Sequence, residues 1–185
     1  INLLLNSLDG DKPIDSRNKA MFELLYATGM RISELLDLEV NSVNFEERFV
    51  KVRGKGNKER MVPMNDIAQK YLQKYYEKDR IHLKSDLTDI MFLNNRGKRM
   101  SRQGFYKILK EKAQKVGIID ISPHKLRHSI ATHMLNQGAN LKMVQDLLGH
   151  ENISTTQIYA HVSKEKIINE YEKYHMFGKD NNDIQ

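Results

Sequence analysis

His124, Arg127, His150 and Tyr159 fall within one stretch, SPHKLRHSIATHMLNQGANLKMVQDLLGHENISTTQIYAH, from Ser122 onward. His124 and Arg127 are three residues apart on an expected helix, so both side chains leave it on the same side. Leu126, Ile130, His133 and Met134 fall on the other side, with the apolar members as its core anchor. His150 follows Gly149 at the end of a second helix whose apolar stripe is Val144, Leu147 and Leu148. Tyr159 comes after Ser154-Thr155-Thr156, a cap for a third. These residue types suit attack of a phenol on a phosphate.

Breaking a phosphodiester without a metal needs a nucleophile, a counter-charge for the non-bridging oxygens and a proton for the leaving alkoxide. A tyrosine, with its pKa near about 10, needs a base or nearby cations to attack at neutral pH. Two arginines can hold the phosphate through planar forks that stay charged. A lysine on a loop can protonate the leaving 5′-oxygen, and histidines can share proton transfer. Arg31, Lys55, His124, Arg127, His150 and Tyr159 are the types this chemistry needs. Each has a plainer reading alone: Arg31 as a surface partner of Glu34, Lys55 on a solvated turn, His150 as a helix cap, Tyr159 as a half-buried tyrosine. His124, His128, His150 and His161 could converge on zinc, but no carboxylate or cysteine stands at ligand spacing. The metal-free, cofactor-free reading is preferred.

Composition bounds the partner. The 185 residues carry a formal charge of +6, 39% hydrophobic and 29% charged residues, and no cysteine. The pI of 9.3 and mean hydropathy of −0.63 describe a basic, water-compatible chain, which favours a polyanion. Without cysteine there is no disulfide, thiolate zinc site or cysteine nucleophile. No apolar run reaches the roughly 20 residues a membrane helix needs, and no signal peptide opens the chain. The expectation is a cytoplasmic protein with no membrane partner. The first residue is Ile1, consistent with a piece of something longer.

The elements that must position the site follow from caps and periodicity. Asn2 to Leu8 reads as a helix end closed by Asp9-Gly10. Pro13 starts a second helix with Met21, Leu24, Leu25 and Thr28 on one face, stopped by Gly29. Arg31 then stands where a new helix begins, with Ile32, Leu35 and Leu36 inward. Phe49 to Val62 reads as a β-hairpin turning at Gly54-Lys55-Gly56-Asn57, with Arg53, Lys55, Lys58 and Arg60 concentrating charge there. A helix is expected from Asp66 to Glu77 on a stripe of Ala68, Leu72 and Tyr75. Ile90 to Leu93 is expected as a short strand. Ser101 caps a helix carrying Phe105, Ile108, Leu109, Ala113 and Val116 to Gly117. Arg96, Lys98, Arg99 and Arg102 form a second basic cluster at its start, read as a DNA-backbone contact or a solvated turn. Lys164 to Tyr174 is an amphipathic helix with Ile167, Ile168, Tyr171 and Tyr174 on one face, packed on its own domain or donated to a neighbour. Lys179 to Gln185 is a polar tail, expected to be disordered. The expected fold class is mainly α with a small antiparallel sheet, in one domain.

Four segments in order, YATGMRISELLDL, VRGKGNKERMVPM, SPHKLRHSIATHML and VQDLLGHENISTTQIYAHV, resemble the catalytic domain of tyrosine recombinases, and within them the Xer type. The similarity runs from about Pro13 to Val162. It implies the tyrosine recombinase catalytic-domain fold over residues 1–178, with Arg31, Lys55, His124, Arg127 and His150 as the activating set, Tyr159 as nucleophile, and Glu34 and His128 in support. Arg53, Lys58, Arg60, Arg96, Lys98, Arg99 and Arg102 are the expected contacts to double-stranded DNA. The resemblance further implies a 3′-phosphotyrosyl intermediate, strand exchange through a Holliday junction, and a homotetramer or paralogue-paired tetramer. Residues 163–175 would be the exchanged C-terminal helix, and a DNA translocase a potential activator. Chromosome-dimer resolution and mobile-element integration or excision both stay open. So do type IB topoisomerase-like strand passage and a catalytically silent DNA-binding module. The family's N-terminal DNA-clamping domain is expected to lie outside this chain.

Overall fold

The computed structural model describes residues 2–54, 59–83, 88–136 and 138–148, together with Lys173. Lys55, Lys58, His150, Tyr159 and, apart from Lys173, the expected helix from Lys164 to Tyr174 lie outside the described residues.

Helix α1 spans Asn2–Asn6 and α2 spans Pro13–Thr28. Pro13 suits the first turn of α2, where its fixed φ is helical and its missing N–H has no partner to lose. Gly29 ends the helix in the left-handed region at φ 59°, and its amide donates to the Leu25 carbonyl at 2.9 Å. The expected single apolar face of α2 is an underestimate: every residue from Ser16 to Met30 is buried. Helix α1, the later helices at Asp66–Lys74, Arg80–Leu83 and Pro123–Asn136, and the strand at Glu59–Pro63 all pack against it. Its polar residues are buried with partners, as burial demands. Lys19 donates to the Leu5 carbonyl at 2.8 Å, pairs with Glu23 at 3.2 Å and lies 4.8 Å from the centre of the Tyr71 ring. Phe22 stacks on Phe105 with ring centres 5.0 Å apart, joining α2 to the helix at Arg102–Lys115.

A short helix α3, Ile32–Leu36, is followed by a 3₁₀ turn at Val40–Ser42. Strands β1 (Val43–Asn44), β2 (Phe49–Arg53) and β3 (Glu59–Pro63) form an antiparallel sheet in the order β1-β2-β3. Val50 faces both Val43 and Val62 across the ladder. The β2–β3 hairpin is as expected, whereas β1 has only two residues and leaves too short a pattern to read.

Helix α4 covers Asp66–Lys74, capped by Asn65, whose side chain accepts the Ala68 amide at 2.9 Å. Instead of continuing to Glu77 as an α-helix, the chain makes a π turn at Tyr75–Asp79 and re-enters an α-helix as α5, Arg80–Leu83. Residues five apart lie about one turn apart in a π-helix, and Tyr75 and Arg80 are both buried. Tyr75 Oη accepts the Leu93 amide at 3.3 Å. Arg80 donates to the carbonyls of Thr88 and Ile90 at 2.8 and 2.6 Å and to that of Met91 at 3.2 Å.

These contacts correct the strand expected at Ile90 to Leu93. The segment makes only isolated bridges, Glu39 with Ile90 and Leu93 with Arg99. Buried arginines take the carbonyls a ladder would have used: Arg80 those of Ile90 and Met91, and Arg17 that of Leu93 at 2.9 Å.

Helix α6, Arg102–Lys115, is capped by Ser101, whose Oγ accepts the Gly104 amide at 3.0 Å, and it buries Phe105, Leu109 and Ala113. Helix α7, Pro123–Asn136, buries Leu126, Ile130 and Met134, and α8, Leu141–Leu148, buries Val144 and Leu148.

Gly29 stands where α2, α7 and α8 meet. A Cβ there would lie 2.6 Å from Leu148 Cδ2 and 3.8 Å from Ile130 Cγ2, at a φ that L residues rarely adopt. Gly29→Ala should therefore destabilise the protein by about 1–3 kcal/mol, read by urea unfolding. An unchanged unfolding midpoint would remove Gly29 from the junction.

Candidate active site

The site is built on the first turn of α3. Arg31 is its N-cap, and Glu34, three residues on, reaches back so that Oε2 accepts the Arg31 amide at 2.7 Å. This is the carboxylate half of a capping box, which satisfies an amide that the helix cannot. The Arg31 guanidinium bonds the same carboxylate, Nη1 to Oε1 at 3.2 Å. Arg31 exposes 41% of its side chain and Glu34 3%, so the arginine reaches solvent with the carboxylate behind it.

From the opposite side, Arg60 on β3 closes a two-pronged bond on Glu34, Nη1 to Oε1 at 2.7 Å and Nη2 to Oε2 at 2.9 Å. A planar fork matched to a carboxylate is the strongest form of this pairing. Arg60 is itself buried, which corrects its expected place among the outward DNA-facing residues of the hairpin. Strand alternation explains the difference: Arg60 shares the inner face of β3 with Val62. That alternation was the signal available in the sequence; the clustering of positive charge obscured it.

Burial pushes the Glu34 carboxyl up, but the hydrogen bonds and charge of Arg60, then those of Arg31, outweigh it and hold it below its usual range. With its folded-state value depressed, Glu34 stabilises the fold above the ordinary carboxylate range. That contribution disappears as pH falls through the depressed value.

Arg127 completes the group. Ser122 starts α7, its Oγ accepting the Lys125 amide at 3.1 Å, and this places Arg127 in the second turn. Arg127 Nη2 donates to the Leu148 carbonyl at the end of α8. Burial, then repulsion from Arg31, pushes Arg127 down to about 10; Glu34 acts in the other direction and Arg60 adds repulsion. Arg127 is still charged at neutral pH. Two guanidiniums thus bond one carboxylate, a third feels the charge of all of them, and the shortfall of negative charge suits an anion with several oxygens.

His124 lies one turn before Arg127 on α7 and is exposed, as is His128. Lys55, His150 and Tyr159 lie outside the described residues. Of the expected DNA contacts, Arg53 is exposed and pairs with Glu59 at 3.1 Å. Arg96, Lys98, Arg99 and Arg102 are all exposed on the turn before α6 and its first residue, with Arg99 Nε held by Asp37 at 2.7 Å. Arg17 supports that turn from below, donating to Asn95 Oδ1 at 3.2 Å, a link between α2 and the basic turn that the sequence did not suggest. Among the described residues no three His, Asp or Glu side chains gather in a way that could hold a metal ion. No helix among them is long and apolar enough to cross a membrane.

Arg31 reaches solvent in front of a buried carboxylate, and the turn before α6 is basic and exposed, an arrangement that suits an anion. The model of the phage integrase family matches residues 1–166. The chain belongs to that family. The Tyrosine recombinase XerD of Oceanobacillus iheyensis is 51% identical over 162 residues, covering 86% of this chain and 54% of that protein. That of Halalkalibacterium halodurans is 48% identical over 177 residues, covering 95% of this chain and 59% of that protein. Among solved structures, the XerA recombinase superposes with a TM-score of 0.73 at 32% identity, over 92% of this chain and 59% of that one. The XerH site-specific recombinase bound to its difH substrate, in a pre-cleavage complex, gives 0.71 at 26% identity, over 89% of this chain and 49% of that one. The fold is therefore mainly α with a small antiparallel sheet, that of a tyrosine recombinase catalytic domain. The chain spans a little over half the length of these curated relatives.

If the arginine group is an anion site, sulfate should stabilise the protein by binding the folded state. Titrated against chloride at constant ionic strength, sulfate should raise Tm by about 2–4 °C, and Arg127→Met should at least halve that rise. An equal rise in the variant would place sulfate elsewhere.

Proposed function

We propose that this chain carries the strand-cutting and rejoining centre of a site-specific DNA recombinase of the Xer type. The observation that carries the reading is the pairing of Arg31 and Arg60 on the carboxylate of Glu34, within the electrostatic reach of Arg127, short of negative charge and open to solvent at Arg31. A scissile phosphate would supply the missing charge. Support comes from the XerD relatives and from the XerH structure, which holds its difH substrate.

In this reading the Tyr159 phenol oxygen attacks phosphorus and its proton passes to a base, for which His124 and His150 are the candidates. The bond from phosphorus to the 5′-oxygen breaks, Lys55 protonates that oxygen, and the DNA 3′ end remains on Tyr159 as a phosphodiester. A 5′-hydroxyl from the partner duplex then attacks the link, the phenol leaves, and the proton transfers run in reverse. The number of phosphodiester bonds is unchanged, so the cycle draws on no ATP. Arg31 and Arg127 hold the non-bridging oxygens, with Glu34 and His128 in support. Arg53, Lys58, Arg96, Lys98, Arg99 and Arg102 would hold the flanking backbone, which fixes register without reading sequence.

The XerD similarity favours chromosome-dimer resolution over mobile-element integration. Four protomers would act on two duplexes through a Holliday junction, joined by the helix within residues 163–175, in the cytoplasm where the chromosome lies. A DNA translocase is a further candidate partner.

Lys55 supplies a discriminating test. An alkoxide leaving group needs a proton, whereas a thiolate, with a pKa near about 8.5 in cysteine, does not. Lys55→Ala should cleave normal DNA very slowly and recover on DNA with sulfur at the 5′-bridging position. Arg31→Ala, which removes a donor to the non-bridging oxygens, should lose about 100-fold and gain no such recovery. Equal recovery of both, or of neither, would take the leaving-group role away from Lys55.

A further inference from the structure

We infer that Arg60 is a positioning residue for strand cleavage, acting through Glu34 to keep the Arg31 guanidinium available to the scissile phosphate. The assignment rests on the recombinase reading above.

Glu34 accepts four bonds, two from Arg31 and two from Arg60. The contacts divide unequally. The Arg60 fork is short at both prongs, 2.7 and 2.9 Å, and Arg60 and Glu34 expose only 6% and 3% of their side chains. The Arg31 guanidinium contact is longer, 3.2 Å, and single. Coulomb attraction inside a protein far exceeds that in water, so a buried carboxylate binds whichever cation meets it most squarely. With Arg60 present, that cation is Arg60. The pair is then neutral as a unit, and the carboxylate draws less strongly on the Arg31 guanidinium.

Removing Arg60 changes both charge and geometry. Glu34 would have Arg31 as its one remaining guanidinium partner among these contacts, and its attraction would draw that guanidinium inward. The Arg31–Glu34 pair would then be neutral, leaving Arg127 alone to meet the phosphate. Loss of Arg60 should therefore resemble loss of Arg31. The effect falls on chemistry rather than on DNA affinity, because Arg60 is buried and the exposed Arg53, Arg96, Lys98, Arg99 and Arg102 remain.

The test is a cycle of Arg31→Ala, Arg60→Met and the double variant in the full-length protein. The readout is single-turnover adduct formation at saturating nicked DNA, on a site selected by the protein from random sequence, with Tm and Kd measured for each. Arg60→Met should slow adduct formation by about 10–100-fold while Kd stays within about threefold. The double variant should be no more than about threefold slower than Arg31→Ala alone, because both changes remove one function. Should Arg60→Met fail to fold, Arg60→Lys takes its place in the same cycle. It keeps a cation beside Glu34 but loses the fork, and should fold and still be slow. Penalties that multiply in the double variant would mean that Arg60 acts independently of Arg31 and would overturn the assignment. So would a wild-type rate in the Arg60 variants. If the wild-type protein itself forms no adduct, the recombinase reading fails first and this assignment falls with it.

Discussion

The Glu34 carboxylate is the constraint on which the site depends. A carboxylate with 3% of its side chain exposed is tenable only if cations and hydrogen-bond donors replace the water it has lost. Arg31 and Arg60 both do so, and Arg127 is close enough to feel all three. One interaction thereby joins the start of α3 to the last strand of the sheet and sets the field in which α7 presents Arg127. Removing one partner of such a buried group typically costs about 3–5 kcal/mol, because it leaves an uncompensated charge inside. The site and part of the fold's stability are therefore the same contacts.

Around that centre, α2 works as an axle. Its capping glycine lets α3 begin within three residues, and Leu148 on α8 and Ile130 on α7 close over the same glycine. Arg127 and Leu148 are further tied by a side-chain to carbonyl bond. The two arginines expected to hold phosphate thus come from segments almost 100 residues apart in sequence but share one packing junction at the end of α2. Buried arginines serve a second purpose beyond it. Arg17 and Arg80 hold the carbonyls of Thr88, Ile90, Met91 and Leu93, shaping the segment that leads into the exposed basic turn.

Local chemistry was legible in the sequence, and distant partnership was not. Gly29 as a helix stop, Ser101 as a cap and the Arg31–Glu34 pair follow from residues within four positions of one another, and the β2–β3 hairpin from two neighbouring runs joined by a short turn. The burial of Arg60 depends on a carboxylate 26 residues away, and that of Arg17 on a carbonyl 76 residues away. Neither partner is visible in a local window, although strand alternation alone points Arg60 inward. Arg60 shows the hazard: a basic residue in a basic hairpin reads as a surface contact until its place in the strand's alternation is considered. The strand expected at Ile90 to Leu93 failed for a related reason, since arginines from two other elements claimed its carbonyls. The proposed nucleophile and two of its proposed partners, Tyr159, Lys55 and His150, stand on their types and spacing and on the family resemblance.

The most direct test is to find where DNA becomes attached. The full-length protein would be trapped on a nicked duplex whose released fragment diffuses away, digested, and the nucleotide-bearing peptide sequenced by mass spectrometry. The account predicts a 3′-phosphoryl link on Tyr159 and a free 5′-hydroxyl on the released fragment. A link on Tyr171, Tyr174 or any other residue, or cleavage that leaves a 5′-phosphate, would contradict it.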